Sequence, residues 1–200
     1  HEATGCAVYR SWCEHCVAAK GRGNPHLNSQ ESGDVAEIAF DYGYMSRDKV
    51  TMLMICARDR WSESQACSFV PEKGRNKYAI SFLVGFVKSL GYKKVIFQSD
   101  NERSILALLE QVSINLPGVD VIPRSSPETD HAANGLAEVG VKICKDQTRA
   151  VRSALEAKYH NRFDDKEPIL SWLPRHAINC HNRFKIGQDG KTPEQCRCGK

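Results

Sequence analysis

Three acidic residues stand out by their surroundings. Asp41 falls inside an apolar, strand-like run, Asp100 ends the apolar segment KKVIFQSD, and Glu138 closes HAANGLAE at the head of a long helical pattern. A charge near the centre of a sheet needs a reason to be there. The chemistry that wants several carboxylates together is phosphoryl transfer, in which they hold two divalent ions roughly 3.5–4 Å apart. One ion activates the attacking oxygen and the other steadies the leaving one. Hard oxygen ligands favour Mg²⁺ or Mn²⁺ over zinc. Carboxylates brought together repel, so a cluster of this kind is costly as mere scaffolding. Plainer roles stand beside this one. With 24 acidic residues in the chain some trio always shows a suggestive spacing. Asp100 can serve as N-cap of the helix beginning ERSILALL, and Glu138 as a solvated helix residue.

A second constellation opens the chain. Cys13-Glu14-His15-Cys16 is a CxxC pair and half of a zinc site. His1 and Cys6 are upstream candidates, and His15 or His26 are possible substitutes. An exposed or reactive CxxC is the alternative. The nine cysteines are an odd count in a chain of this length and read as reduced, intracellular thiols rather than a secreted disulfide framework. Cys56, Cys67, Cys144 and Cys180 look scattered, and the terminal Cys196-Arg197-Cys198 is assigned no chemistry. Beyond Glu138, Lys142, Lys145 and Arg149 recur on much the same helical face. That row is either a phosphate-contacting stripe or an ordinary solvated face.

The elements that must position these groups follow from the pattern of apolar residues. Val35, Ile38, Phe40 and Tyr42 mark a first strand, followed by Lys49–Ala57 and Gln65–Val70 across short polar turns, an antiparallel meander. A helix is predicted over Lys77–Leu90 with Gly91 as its stop. A buried strand, Val95–Gln98, runs into Asp100 and a helix from Glu102 to about Val112. After the Pro117-Gly118 turn come a strand at Val119–Ile122 and a polar loop. A long helix from about Ala132 to Tyr159 then repeats Leu136, Val139, Ile143 and Cys144 at helical spacing. A last helix covers Ile169–Phe184. The order β-β-β-α-β-α-β-α-α predicts an α/β fold with a mixed five-stranded sheet flanked by helices on both faces. Residues 1–32 read as a partial zinc-binding segment and linker, a small zinc-knuckle remnant with a hinge around Gly21–Gly33, and residues 33–200 as the main domain with its C-terminal helix.

Two hundred residues can bury a substantial core. No stretch approaches the roughly 18 apolar residues of a membrane span, and no signal peptide is visible. The first residue is His1 rather than Met, which suggests an excised portion of a longer protein. The net charge of +4 is compatible with a nucleic-acid partner without establishing one.

Together these segments closely resemble the integrase core of retroviruses and LTR retrotransposons, a branch of the ribonuclease H-like superfamily with a DDE metal triad. DYGYM follows an apolar strand at the first acid, and FQSDN matches the setting of the second. SSPETDHAANGLAE resembles the segment in which Ser/Pro and an Asn-Gly pair precede the catalytic Glu. Trp172, Ala177, Asn182 and GKTPEQ (Gly190–Gln195) resemble the closing helix and the G-x-T-P-x-E signature. The resemblance covers nearly the whole chain, with four motifs in the right order. It implies that Asp41, Asp100 and Glu138 ligate two Mg²⁺ or Mn²⁺ ions. It also implies that Asn134 and Gly135 shape the turn aiming Glu138, and that Asn134, Lys142, Lys145 and Arg149 meet DNA. The family's zinc-binding His-His-Cys-Cys module resembles YRSWCEHC at its end, and here implies a Zn²⁺ set of His1, Cys6, Cys13 and Cys16. Two departures are Val139 where Arg often follows the catalytic Glu, and a slightly long Asp100-to-Glu138 interval. The implied activity is DNA 3′-end processing and strand transfer by a homo-oligomer acting on element ends and target DNA, without a membrane, intracellular and in the nucleus when active. The alternatives are a ribonuclease H-like nuclease, for which His160 is the candidate catalytic His, and a decayed or domesticated DNA-binding module without catalysis.

Overall fold

The computed structural model describes residues 1–19, 35–47, 50–126, 135–164 and 167–199. Its centre is a five-stranded sheet in the order β3-β2-β1-β4-β5. The strands are β1 (Ala36–Arg47), β2 (Val50–Asp59), β3 (Gln65–Phe69), β4 (Lys94–Ser99) and β5 (Asp120–Ser125). Pairing is antiparallel within β1-β2-β3 and parallel from β1 through β4 to β5. This is the mixed five-stranded sheet that the sequence predicts, and helices cover both faces.

Alternation along β1 divides the core in two. Ile38, Phe40 and Tyr42 point to one face, where helices α2 (Lys77–Leu90) and α3 (Arg103–Ile114) bring Leu83, Val87, Ile105, Leu108 and Val112. Phe40 meets Phe97 of β4 edge to face, ring centroids 4.8 Å apart. The opposite face carries Met45, Met54, Cys56 and Cys67 against α4 (Gly135–Tyr159) and α5 (Pro168–Phe184). Asn76 caps α2 by accepting from the backbone of Tyr78 and Ala79, and Gly91 ends it with φ 71°. The glycine is the signal by which its end could be read from sequence.

Two short helices lie outside the predicted pattern. α1 (Glu14–Ala19) packs on α4, and α6 (Pro193–Cys198) is held by a capping box between Thr192 and Gln195. Both are too short to show a helical period. α3 begins later than expected, with Glu102 at its N-cap position. Asp100 lies two residues before that cap and accepts from the Glu102 N–H at 3.3 Å, so the predicted capping role for Asp100 is replaced by a local turn. On α4 the buried face is Ala137, Val141, Cys144 and Thr148. Val139, expected on that face, is exposed.

At the β3 edge, Asn182 of α5 accepts from the Gln65 N–H at 3.1 Å and donates to the Gln65 carbonyl at 2.8 Å. No helix among the described residues is long and apolar enough to cross a membrane.

α4 lies unusually close to the sheet. A Cβ at Gly43 would come within 2.9 Å of Val141 Cγ1, 3.1 Å of Met54 Cγ and 3.3 Å of Lys145 Cε. A Cβ at Gly140 would meet Arg58 Cβ at 3.2 Å. These two glycines set the seat of the helix. We expect Gly43→Ala to lower the unfolding free energy by about 1–3 kcal/mol through overpacking. Gly85→Ala, inside α2 where the added Cβ meets nothing, should raise it by about 0.5–1 kcal/mol. Urea unfolding of both variants tests this; a neutral Gly43→Ala counters the close-seat reading.

Candidate active site

Register places the two aspartates. β1 and β4 pair in parallel through Ala39 opposite Gln98, so two residues further on Asp41 and Asp100 stand abreast where the strands part. Both side chains share the parity of Ala39 and Gln98 and therefore face α4. Glu138 sits in the first turn of α4. Asp41 and Glu138 line one cavity of about 530 Å³, whose wall continues along α4 through Lys142, Lys145 and Arg149. Asp41, Glu138 and the basic row thus share one cavity, and Asp100 acts on Asp41 from beside it. Arg149 also pairs with Asp146 at 3.4 Å. Asn134 lies outside the described residues.

The electrostatics single out Asp41. Burial raises its carboxyl, the neighbouring charge of Asp100 raises it further, and the Tyr42 N–H donating at 2.7 Å opposes both. The result is a pKa of about 7. Other buried acids in the chain are satisfied differently. Glu37 accepts from Arg60 at 2.7 Å and from Arg124. Asp59 accepts from the Ser62 N–H at 2.9 Å, the Ser62 hydroxyl at 2.6 Å and the Tyr92 hydroxyl at 2.8 Å. Asp41 instead faces a second carboxylate, an arrangement that a cation would relieve. Among the described residues, the groups with ligand atoms all within 4.8 Å of one another are rich in sulfur, and the three acids are spaced more widely.

Sequence reasoning missed the frame around the acids. Lys73, in the loop before α2, donates to both Glu102 oxygens at 2.7 Å and lies over the rings of Tyr42 and Tyr44. Burial acts to raise the Glu102 carboxyl, but the hydrogen bonds from Lys73 and Ser104 outweigh it and hold it below the usual range. The Tyr42 hydroxyl accepts from the Gly74 N–H at 2.9 Å, tying the same loop to β1. No motif flagged Lys73, because its partners are distant in sequence. His160, the candidate for a nuclease His, follows the C-terminal end of α4. At about 1.5 Å rise per residue it lies roughly 33 Å along the helix from Glu138, away from the acids.

The N-terminal set also converges. The ligand atoms of His1, Cys6, Cys13 and Cys16 all lie within 4.8 Å of one another. Cys6 and Cys13 sulfurs are 3.9 Å apart, and His1 Nε2 is 3.2 Å from Cys16 Sγ. Tetrahedral zinc with bonds of about 2.3 Å to sulfur would space two thiolates by about 3.8 Å. Burial and the adjacent Cys13 and Cys16 push the Cys6 thiol up to about 12. Burial also acts to raise Cys13, but hydrogen bonds led by the Cys16 N–H bring it below its usual value. His15, weighed as a substitute ligand, instead meets Ser153 of α4, Nδ1 to Oγ 2.7 Å; His26 lies outside the described residues. Gln147 of α4 donates to the Gly5 carbonyl. A Cβ on Gly5 would lie 2.7 Å from Cys180 Cβ on α5. The knuckle is therefore docked on the long helices.

Solved structures share this fold. The chain aligns over 92% of its length with a chain of the simian T-cell lymphotropic virus intasome, at TM-score 0.63 and 14% identity, and spans 63% of that chain. The HTLV-2 integrase catalytic core, in complex with magnesium and in a trimeric form, aligns with 80% of this chain and 95% of its own at TM-score 0.53 and 14% identity. The BIV integrase catalytic core aligns with 82% of this chain and 93% of its own, at TM-score 0.54 and 16% identity. The chain has the fold of a retroviral integrase catalytic core. At these identities the likeness is one of fold. Comparison with known families and with curated proteins gives no match.

The Asp41 shift carries a sign. Its carboxyl is raised above its value in an unfolded chain, so the neutral form favours the fold. That contribution is complete below about pH 4 and is lost as pH rises through 7. In metal-free protein, the melting temperature of wild type should therefore fall relative to Asp41→Asn between these limits. Divalent-ion affinity should weaken by about tenfold per pH unit below 7. Thermal melts of the two proteins across that window check the first expectation, and a constant difference between them contradicts it.

Proposed function

We propose that the chain is a metal-dependent polynucleotidyl transferase of the integrase type, catalysing DNA 3′-end processing and strand transfer. The observation that carries this reading is the shared cavity. Asp41 and Asp100 stand abreast at the parting of two parallel strands, Glu138 faces the same space, and a basic row leads away from it. The integrase-core fold supports it.

Asp41, Asp100 and Glu138 would hold a pair of Mg²⁺ or Mn²⁺ ions; the hard oxygen donors and the raised Asp41 carboxyl both suit such a cation. When bound, the ions supply Lewis acidity at the phosphodiester and lower the pKa of the attacking hydroxyl or water. The protein's own part is positioning. Asp41 sits within the central strand, Asp100 directly after a strand end and Glu138 on a packed helix, which fixes them better than loops would. Lys142, Lys145 and Arg149, with Asn134 at the helix entrance, would neutralise DNA phosphates and orient the duplex without reading sequence. No covalent protein intermediate is needed. Joining element ends to a target requires several copies of the chain, acting in the nucleus.

His1, Cys6, Cys13 and Cys16 would hold a structural zinc ion that closes the knuckle against α4 and α5.

Asp100→Asn and Glu138→Gln should each lower Mg²⁺- or Mn²⁺-dependent nicking and joining of terminal-repeat oligonucleotides by more than about a hundredfold. DNA binding by fluorescence anisotropy should change little. Unchanged nicking in either variant overturns the triad, and preferential cutting of an RNA–DNA hybrid overturns the integrase reading in favour of a nuclease. For the knuckle, Cys16→Ser should lose about one bound zinc per chain and melt several degrees lower. Elemental analysis showing zinc unchanged in that variant removes the assignment.

A further inference from the structure

A second sulfur cluster lies deeper in the core and has no task in the reading above. Cys56 of β2 and Cys67 of β3 stand directly opposite across the antiparallel pair, with their sulfurs 3.6 Å apart. Cys144 of α4 closes the third side, so that all three sulfurs lie within 4.8 Å of one another. The Met54 thioether is 3.7 Å from Cys67 Sγ. All three cysteines are free and buried. Neutral thiols pack as small hydrophobes, and that role alone would explain their burial.

Three further observations go beyond packing. The first is charge. The Arg58 guanidinium stands near enough for its charge to bear on the Cys144 sulfur. Arg58 is itself buried, pairs with Glu63 at 3.2 Å, and keeps an Nε without a hydrogen-bond partner. A guanidinium in that position favours an anion nearby. The second is the surrounding shell. With its amide turned to suit its neighbours, Gln65 accepts from Arg58 at 3.0 Å and donates to the Gly140 carbonyl at 3.3 Å. That orientation sets its NH₂ group 3.6 Å from Cys144 Sγ, as a donor to a thiolate. The third is position: Cys67, itself buried, borders an open cavity of about 630 Å³ between α2 and α5.

We propose that Cys56, Cys67 and Cys144 form a site for a thiophilic d¹⁰ cation, Cu(I) or Zn(II), with Met54 as an adjoining soft donor. Thiolates bonded at about 2.3 Å in a trigonal site lie about 4 Å apart, close to the spacing here. Soft thiolate and thioether donors, without imidazole, carboxylate or water, select such ions. Binding would release the remaining thiol protons to solvent. It would also pin α4 to β2 and β3 six residues beyond Glu138, at the strand position paired with Asp41. The site stands whether or not the chain acts on DNA.

The full chain, desalted under anaerobic conditions, is titrated separately with Zn(II) and with a Cu(I) acetonitrile complex, and bound metal is measured after gel filtration. With at least one of the two ions, wild type should hold about two ions per chain. Cys144→Ala and Cys67→Val should each hold one fewer, and Cys16→Ser should lose only the other. The ion retained in the wild-type excess identifies the natural class. A wild-type chain that binds neither ion overturns the site, as does equal uptake by wild type and both core variants. Neither result touches the DNA-joining assay, so failure here and failure of the integrase reading are separable.

Discussion

The seat of α4 on the sheet governs the rest of this protein. Gly43 on the central strand and Gly140 on the helix let the two backbones approach where any side chain would meet Val141, Met54 or Arg58. Along the helix so seated come Glu138 at the acid cavity, the basic row, Cys144 in the sulfur cluster, and Gln147 and Ser153 under the N-terminal knuckle. One helix thus reaches four separate clusters. Packed interiors transmit displacement instead of absorbing it, so a shift of α4 reaches all of them together.

Charge is distributed with the same economy. The chain pairs Glu37 with two arginines and surrounds Asp59 with hydroxyls and a backbone amide. It leaves Asp41 beside Asp100, with a carboxyl raised to about 7. Where a sequence can satisfy a buried acid and does so twice, a third acid set against its own kind is a local sacrifice of stability. Such sacrifices concentrate where a site must be ready for a ligand.

Most of the sheet and the long helices were legible because their signals are local: the alternation of Ile38, Phe40 and Tyr42, the Gly91 stop of α2, the apolar run before Asp100. The three acids could be picked out by setting: Asp41 inside an apolar strand, Asp100 directly after another, and Glu138 at the head of a helix. Their juxtaposition came from strand order, which the β-β-β-α-β pattern implies without stating. The sulfur cluster was not legible. Cys56 and Cys67 meet by strand register, Cys144 arrives from a helix far along the chain, and each looks like an ordinary apolar filler in its own segment. Lys73 was missed for the same reason: its partners Glu102, Tyr42 and Tyr44 lie on other elements. Val139 misled because an apolar residue at helical spacing is not always inward, and the cap position at Asp100 because an aspartate two residues early makes a turn of its own.

Asn182 offers its amide to both backbone groups of Gln65, as the neighbouring residue of another strand would. At the far side of the sheet, β5 carries Pro123, which has no N–H to give, together with charged Asp120 and Arg124. One margin is occupied by a surrogate and the other is blunted. Copies of this chain therefore have little opportunity to join by extending the sheet from one molecule to the next, and the fold steers association towards helix faces and loops, where contacts can be made and released without templating a fibre.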